Sequence, residues 1–229
     1  MALTNVLLLS QIAGHVIGLI LSLCIIVPMS LHQDEFRGKC LLFSHGEWRE
    51  SDGQLLVSWA SRAYCDYVIV VGVIMFIVCC VQIYRSGFIL YHLHYYDNNI
   101  IYVVVSVVQA SSVMVTLGFM SWCQNIVERF PSCEVAAGQD IDSKDGIQTS
   151  GFYIEIGTAQ FGAWAAFATW VGLAVFSTLK VCRYHQLENI QVSMYRERQR
   201  LVNESGSTEK PIYVFITLSS EQNVCLQVY

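Results

Sequence analysis

The chain carries little charge for its length, and neither sign dominates. Asp, Glu, Lys and Arg make up 14% of its 229 residues, whereas a soluble globular domain carries about 25%. The formal net charge is −5, so the chain lacks the broad basic face of a nucleic-acid-binding protein. The hydrophobic fraction is 54% and the mean hydropathy is +0.46. This composition indicates a membrane protein with several spans.

The sequence also lacks the motifs of common enzyme classes. It contains no C-x-x-C pair, no glycine loop of the phosphate-binding kind and no clear nucleophile beside a base. His92 and His94 are close enough to share a metal ion, but we interpret them as residues of the membrane interface. We therefore expect no catalytic residue, no cofactor and no metal site.

Long apolar segments fill most of the chain. About 20 residues of helix cross roughly 30 Å of hydrocarbon, and four segments meet this length: residues 5–30, 64–84, 99–122 and 152–181. The first has no Lys or Arg before it and no small-residue cleavage site after it, so we interpret it as a retained helix. The sequence thus predicts an all-α four-span domain over residues 1–183, with loops at 31–63 and 123–151. Residues 184–229 form a tail that begins as a helix and continues as a linker.

The first loop has the pattern of a small β-hairpin. Residues 39–44 and 54–59 are strand-like, and Leu55, Val57 and Trp59 alternate onto one face of the second strand. The segment between them has glycine near both ends, as expected of a turn.

The cysteines in the two loops predict the orientation. Cys40 and Cys65 bound most of the first loop, and Cys123 and Cys133 lie in the second. Paired cysteines outside the spans form disulfides where the environment is oxidising. We therefore predict one bond in each loop, both loops outside, and both termini in the cytosol. Lys and Arg are divided almost evenly between the two sides and do not decide the orientation.

One tripeptide disagrees with this orientation. Asn203 begins an Asn-Glu-Ser glycosylation sequon in the tail, which the topology leaves in the cytosol. We expect Asn203 to be unmodified. Residues 212–218, further along the tail, are apolar and β-prone, and they either add to a partner's sheet or pack against the membrane or the bundle.

Polar and small residues inside the spans indicate helix contacts. Polar side chains in hydrocarbon tend to hydrogen-bond across a bundle, and small residues four apart let helices approach closely. The candidates for intramembrane polar contacts are Gln11, His15 and Gln109. The candidates for close helix packing are Gly14, Gly18, Gly162 and Ala166. For the first two glycines, packing within the bundle is preferred over a dimerisation face.

Cysteines near the inner ends of spans are candidates for lipid attachment. Cys182, at the end of the fourth span, is the principal candidate for S-acylation. We interpret the adjacent Cys79 and Cys80 as small buried apolar residues, with S-acylation as the alternative.

The two loops have an acidic excess. Twelve carboxylates and six basic side chains lie in or beside them, which favours cationic partners. The candidate partner contacts are Asp140, Asp142, Asp145 and Glu155. The alternative for Glu155 is a solvated carboxylate at the membrane interface.

Several motifs, taken in order along the chain, resemble the transmembrane protein 179 family. They are FRGKCLLF at 36–43, SWC at 121–123, SCE at 132–134, QDID at 139–142 and AQFGAWA at 159–165. The similarity extends over about residues 1–187 and is closer to the 179 branch than to the 179B branch. It implies a claudin-like four-helix bundle with a small extracellular sheet, cytosolic termini and no enzyme activity.

Three function classes follow from these features. The first is a non-enzymatic protein of the plasma membrane or of secretory vesicles, which binds membrane or extracellular proteins as an adhesion protein or auxiliary subunit does. The second is an oligomeric channel or transporter component, although the spans hold few polar residues that could line a path. An integral membrane enzyme is the third. The chain contacts the lipid bilayer in every case, and homo-oligomerisation is left open.

Overall fold

The apolar segments form helices because a bilayer offers no water to an unpaired backbone group, and a helix pairs its own. A computed structural model describes residues 2–50, 55–88, 98–137 and 151–204. Its elements are α1 Ala2–Glu35, β1 Cys40–Trp48, β2 Leu55–Ala60, α2 Ala63–Phe88, α3 Asn98–Ile126, α4 Cys133–Ala136 and α5 Phe152–Glu204.

Four of the described helices are long and apolar enough to cross a membrane. Their spanning parts are Leu8–Glu35, Ala63–Arg85, Ile100–Ile126 and Phe152–Arg183. At most 33% of the most apolar stretch of each is buried inside the protein, so much of their apolar surface is left to face lipid. The predicted class, a four-helix membrane protein with a small β-sheet, is confirmed, and the protein is integral to the membrane.

Several helices extend beyond the predicted ends of the spans. α1 continues from residue 30 to Glu35, and α3 passes Trp122 to end at Ile126. An apolar run marks only the part of a helix within hydrocarbon, whereas the hydrogen-bonded helix continues into the polar region. The residues thereby added to α1 include His32.

The chain divides into two compact units, Met1–Phe176 and Ser177–Tyr229. The first unit contains the sheet, α1 to α4 and α5 as far as Phe176. In the second unit the described residues, 177–204, are helical. The sequence placed the boundary after residue 183, a few residues further along the same helix.

α1 lies between α2 and α5. On one side, a Cβ added to Gly18 would lie 3.0 Å from the Sγ of Cys79 on α2. On the other side, a Cβ added to Gly162 of α5 would lie 3.1 Å from the Cβ of Cys24. Gly14 faces α5 as well, where it would meet the side chain of Leu173. These glycines therefore lie at helix contacts within the bundle, and Ala166 of α5 is fully buried.

α3 closes the bundle through Thr116 and Gly118. The Thr116 hydroxyl accepts hydrogen bonds from Gln160 Nε2 at 3.3 Å and from Trp164 Nε1 at 3.0 Å, and both donors belong to α5. A Cβ added to Gly118 would lie 2.9 Å from the Cβ of Leu42 on β1. This glycine lets α3 approach the sheet closely.

The two strands form an antiparallel hairpin with one irregularity. Cys40 pairs with Ala60, and regular pairing resumes at His45 with Ser58, so β1 bulges between them. The Ser44 hydroxyl, which is fully buried, accepts the Ala60 N–H at 3.0 Å and donates to the Cys40 carbonyl at 2.7 Å. The bulge places Phe43 in the left-handed region at φ 64°, a conformation that is costly for a bulky residue.

S-acylation at Cys182 stays a prediction for the reduced thiol. In this structure Cys182 is disulfide-bonded, and a thioester requires a free thiol. Cys79 and Cys80 are both free: Cys79 is buried, as interpreted, but Cys80 is exposed. Neighbouring positions on a helix point in different directions, which explains the difference.

Candidate interaction surface and polar cluster at the sheet end

We call the end of the bundle that carries β1 and β2 the sheet end. Two disulfides tie its segments to the helices. Cys40 at the start of β1 is bonded to Cys65 in the first turn of α2, with their Cα atoms 5.8 Å apart. Cys123 of α3 is bonded to Cys133 at the start of α4, with Cα atoms 5.4 Å apart. Both predicted pairings are present. The first attaches β1 to α2, and the second attaches α4 to α3.

Stacked aromatic rings join the sheet to the bundle. Trp59 of β2 stacks on Trp122 of α3, with ring centroids 6.4 Å apart and planes at 17°. Trp59 also contacts Phe36 edge to face at 5.9 Å, and Trp122 contacts Phe152 of α5 in the same way at 6.3 Å. Trp122, Phe36 and Phe152 are buried. This aromatic layer connects the hairpin to α3 and α5 and to the segment that follows α1.

The turn end of the hairpin is anchored separately. Trp48, the last residue of β1, donates its indole N–H to the Asn125 carbonyl at 3.0 Å. The Arg129 guanidinium lies over the same ring at 5.1 Å from its centroid, and Phe130 packs against it at 5.9 Å. The hairpin is thus held at both ends, by the disulfide at Cys40 and by these contacts at Trp48.

A buried polar cluster lies beneath the aromatic layer. His32 of α1 is fully buried, and its Nδ1 lies 3.3 Å from Oε2 of Glu155 on α5, whose side chain is 11% exposed. These two atoms are near enough for an ion pair, although neither makes a hydrogen bond within the described residues. The Glu35 carboxyl group interacts with the same glutamate. The His32 ring also packs on Phe36 at 4.1 Å.

A second polar contact fixes α1 to α2 at the same end. Gln33 Nε2 donates to Oδ1 of Asp66 at 2.6 Å. The Arg62 guanidinium also reaches that oxygen, from one helical turn earlier at 3.4 Å. Short polar contacts therefore tie α1 to α5 through His32 and to α2 through Gln33.

The structure changes the interpretation of Glu155. The sequence offered it as a partner contact or a solvated carboxylate, but its side chain is mostly buried against His32. α1 is helical for one turn longer than predicted, which brings the histidine opposite α5. The other candidate contacts, Asp140, Asp142 and Asp145, lie outside the described residues.

The intramembrane polar residues have different environments. His15 is buried, and its ring contacts Trp170 of α5 edge to face at 5.8 Å. Gln11, one turn earlier on the same helix, is half-buried. Gln109 does not bond across the bundle as predicted: it is exposed on α3, with no hydrogen-bond partner among the described residues. A spacing in sequence cannot give the rotation of a helix about its axis, and here the rotation turns Gln109 outward.

Sequence reasoning missed His32 as part of the polar cluster. The apolar run stops at residue 30, so the sequence pattern places His32 in a loop. The available signal was the continuation of helix-compatible residues through Glu35, with His32 and Phe36 four apart on one face. Within the described ranges, no group of three or more His, Cys, Asp or Glu side chains is arranged to hold a metal ion.

Removing the carboxyl group of Glu155 is expected to destabilise the protein. Glu155→Ala leaves His32 buried without its acidic neighbour, at a cost of about 1–3 kcal/mol. The free energy of unfolding, measured by denaturing-detergent titration in mixed micelles, checks this. Glu47→Ala, at an exposed site on β1, is the matched control and should change stability by less than about 0.5 kcal/mol. A stabilising effect of Glu155→Ala would mean that repulsion from Glu35 outweighs the contact with His32.

Comparison with known proteins agrees with this architecture. The family model described as the transmembrane protein 179/179B claudin domain matches residues 7–202, which is most of the chain and includes all four spans and the sheet. No solved structure matches the chain.

Proposed function

Because this chain belongs to the transmembrane protein 179/179B claudin-domain family, we propose that it is a non-enzymatic membrane protein that binds other proteins through its sheet end. The observation that carries the proposal is the double attachment of the hairpin, by a disulfide at Cys40 and by the anchor at Trp48. The family model covers both branches of the family. Placement in the 179 branch is part of this proposal and rests on the motifs quoted above.

A rigid surface is useful for recognition because fewer conformations are lost on binding. The hairpin is too small to be stable alone, since two strands in water are marginal at best. Here the disulfide, the aromatic layer and the bulge held by Ser44 fix its position. This degree of support is consistent with a surface whose shape matters to a partner.

The same end presents side chains suited to a protein partner. Leu56 of β2, Val127 after α3 and Val135 of α4 are each about half exposed. Exposed charged residues lie close to them in sequence, among them Arg129 and Glu134. Apolar groups among charges are typical of protein–protein contacts. An adhesion protein or an auxiliary subunit would use such a surface.

We place the sheet end outside the cell or in the lumen of secretory vesicles, and both termini in the cytosol. Two disulfides at the sheet end support an oxidising environment there. This orientation implies that Cys182, near the opposite end of the Phe152–Arg183 span, faces the reducing side and is reduced in the cell. We base the orientation on the two sheet-end disulfides rather than on the single bond of Cys182. Both sheet-end disulfides link segments that the fold already brings together.

The orientation can be tested with matched glycosylation sites. Ser51→Asn combined with Gly53→Thr creates a sequon between β1 and β2, and the native sequon at Asn203 serves as the comparison. We expect a glycosidase-sensitive mass shift from the new site and none from Asn203. The reverse result would invert the topology.

Proximity labelling from the sheet end tests the proposed function. A peroxidase is inserted in the loop closed by the Cys123–Cys133 disulfide. The proteins that it labels are compared between wild type and the Cys123→Ser, Cys133→Ser variant. Cys80→Ser, at an exposed free thiol on α2, is the control, and surface abundance is measured for each. At equal surface abundance, we expect the variant without the Cys123–Cys133 disulfide to lose most of the labelled partners and Cys80→Ser to keep them. An unchanged partner list would contradict the proposal that the protein binds its partners through the sheet end.

A further inference from the structure

α3 presents a continuous outward face at the spacing of a helix–helix seam. Residues 102, 106, 109 and 113 are separated alternately by four and three positions, and all four are exposed. Tyr102 is 51% exposed and Val113 39%. Alternating three- and four-residue steps keep one side of a helix against a partner in a left-handed pair.

The middle of this face is more polar than the corresponding parts of α1 and α2. There most exposed positions are branched aliphatic residues, such as Ile17, Ile20 and Leu23 on α1 and Val70, Ile74 and Ile77 on α2. On α3 the central exposed positions are instead Ser106, Gln109 and Ala110. Hydrocarbon gains nothing from a small or polar side chain, whereas a second helix does.

Gln109 lies deep in the membrane with its amide group unused. It is nine residues from Ile100 and seventeen from Ile126, which bound the spanning part of α3, or roughly 14 and 26 Å along the helix axis. No hydrogen bond to its side chain exists among the described residues. An unpaired amide is costly in hydrocarbon, where water cannot replace the missing partner.

The surface beside Gln109 is concave. A groove of about 530 Å³ is lined by Ser106, Gln109, Ala110 and Val113 of α3, with Phe43 and Tyr64 at its other side. The strained backbone of Phe43, at φ 64°, holds that ring against Tyr64 at a centroid distance of 5.0 Å. The groove gives the side chains of an approaching helix a place to insert.

We propose that this face is a homodimer interface, and that α3 of a second copy occupies it. Two copies in one membrane share the same orientation, so a two-fold axis along the membrane normal brings their α3 helices together in parallel. Each residue near the axis then meets its own counterpart at the same depth. A glutamine amide both donates and accepts, so two Gln109 side chains satisfy one another reciprocally. Ser106 and Ala110 let the two backbones approach closely.

Dimerisation of the full chain in proteoliposomes tests the interface. Labelled copies are reconstituted at a series of protein-to-lipid ratios, and the dimer fraction is measured by energy transfer. Gln109→Leu is expected to weaken association about tenfold, and Gln109→Asn to retain part of it because the amide group is kept. Val73→Ala, at an exposed site on α2, is the matched control and should leave association unchanged. Because Gln109 points away from the bundle, thermal stability of the monomer should be unaffected.

Photo-crosslinking locates the contact independently. A benzoylphenylalanine at position 113 is expected to give crosslinked dimers, and the same group at position 73 is not. A chain that stays monomeric at every ratio, or equal association of wild type and Gln109→Leu, would overturn the proposal. So would crosslinking to lipid alone, or to a different membrane protein while the purified chain stays monomeric.

Discussion

Replacing Cys40 and Cys65 together by serine is expected to lower the free energy of unfolding by about 3 kcal/mol. The disulfide closes a segment with a sequence separation of 25, and its loss frees that segment in the unfolded chain. The effect in the folded state adds to this, because the bond joins the bulged part of β1 to α2. We expect a smaller folded fraction, measured by size-exclusion chromatography of the fluorescently tagged protein after heating.

The control separates loss of the bond from loss of a sulfur atom. Cys80→Ser removes an exposed free thiol on α2 and should leave the melting midpoint within error of wild type. The single variants Cys40→Ser and Cys65→Ser should each resemble the double variant, since either one breaks the bond. A double variant as stable as wild type would show that the aromatic layer alone holds the hairpin.

Gly162→Val is expected to destabilise the bundle by about 1–3 kcal/mol through overpacking. The added Cβ would lie 3.1 Å from the Cβ of Cys24 and 3.4 Å from its backbone carbonyl carbon. Backbone cannot move aside as the end of a long side chain can, so α1 and α5 must separate. The free energy of unfolding in mixed micelles measures the effect.

Gly172→Val provides a matched control on the same helix. Nothing lies within 4 Å of a Cβ added at Gly172, so this change adds the same atoms without a clash. It should be neutral or slightly stabilising, because valine has a better helix propensity than glycine. Equal destabilisation by the two variants would show that flexibility of α5, rather than close packing, explains the glycine at 162.

Features that depend on the length and content of a segment could be predicted from sequence. The four spans follow from apolar runs of bilayer length, the hairpin follows from alternation at Leu55, Val57 and Trp59, and the cysteines group into one pair in each loop. Leu55 is buried, and Val57 and Trp59 pack against the core. These properties are local in sequence, so local reasoning suffices.

Features that depend on helix rotation could not be predicted. Gln109 and Glu155 are each a polar residue in an apolar helix, yet one faces outward and the other faces His32. Which way each points is decided by contacts between residues far apart in sequence, such as Thr116 with Gln160.

Pro28 lies within α1, one turn after Cys24, where Gly162 of α5 packs against α1. Proline has no N–H to donate, so the carbonyl of Cys24, four residues earlier, loses its usual helical hydrogen bond. Gly162 packs against this residue. α1 therefore lacks one of its own backbone hydrogen bonds next to its contact with α5. The contacts of His32 with Glu155 and of Gln33 with Asp66 attach the part of α1 after Pro28 to α5 and α2 instead.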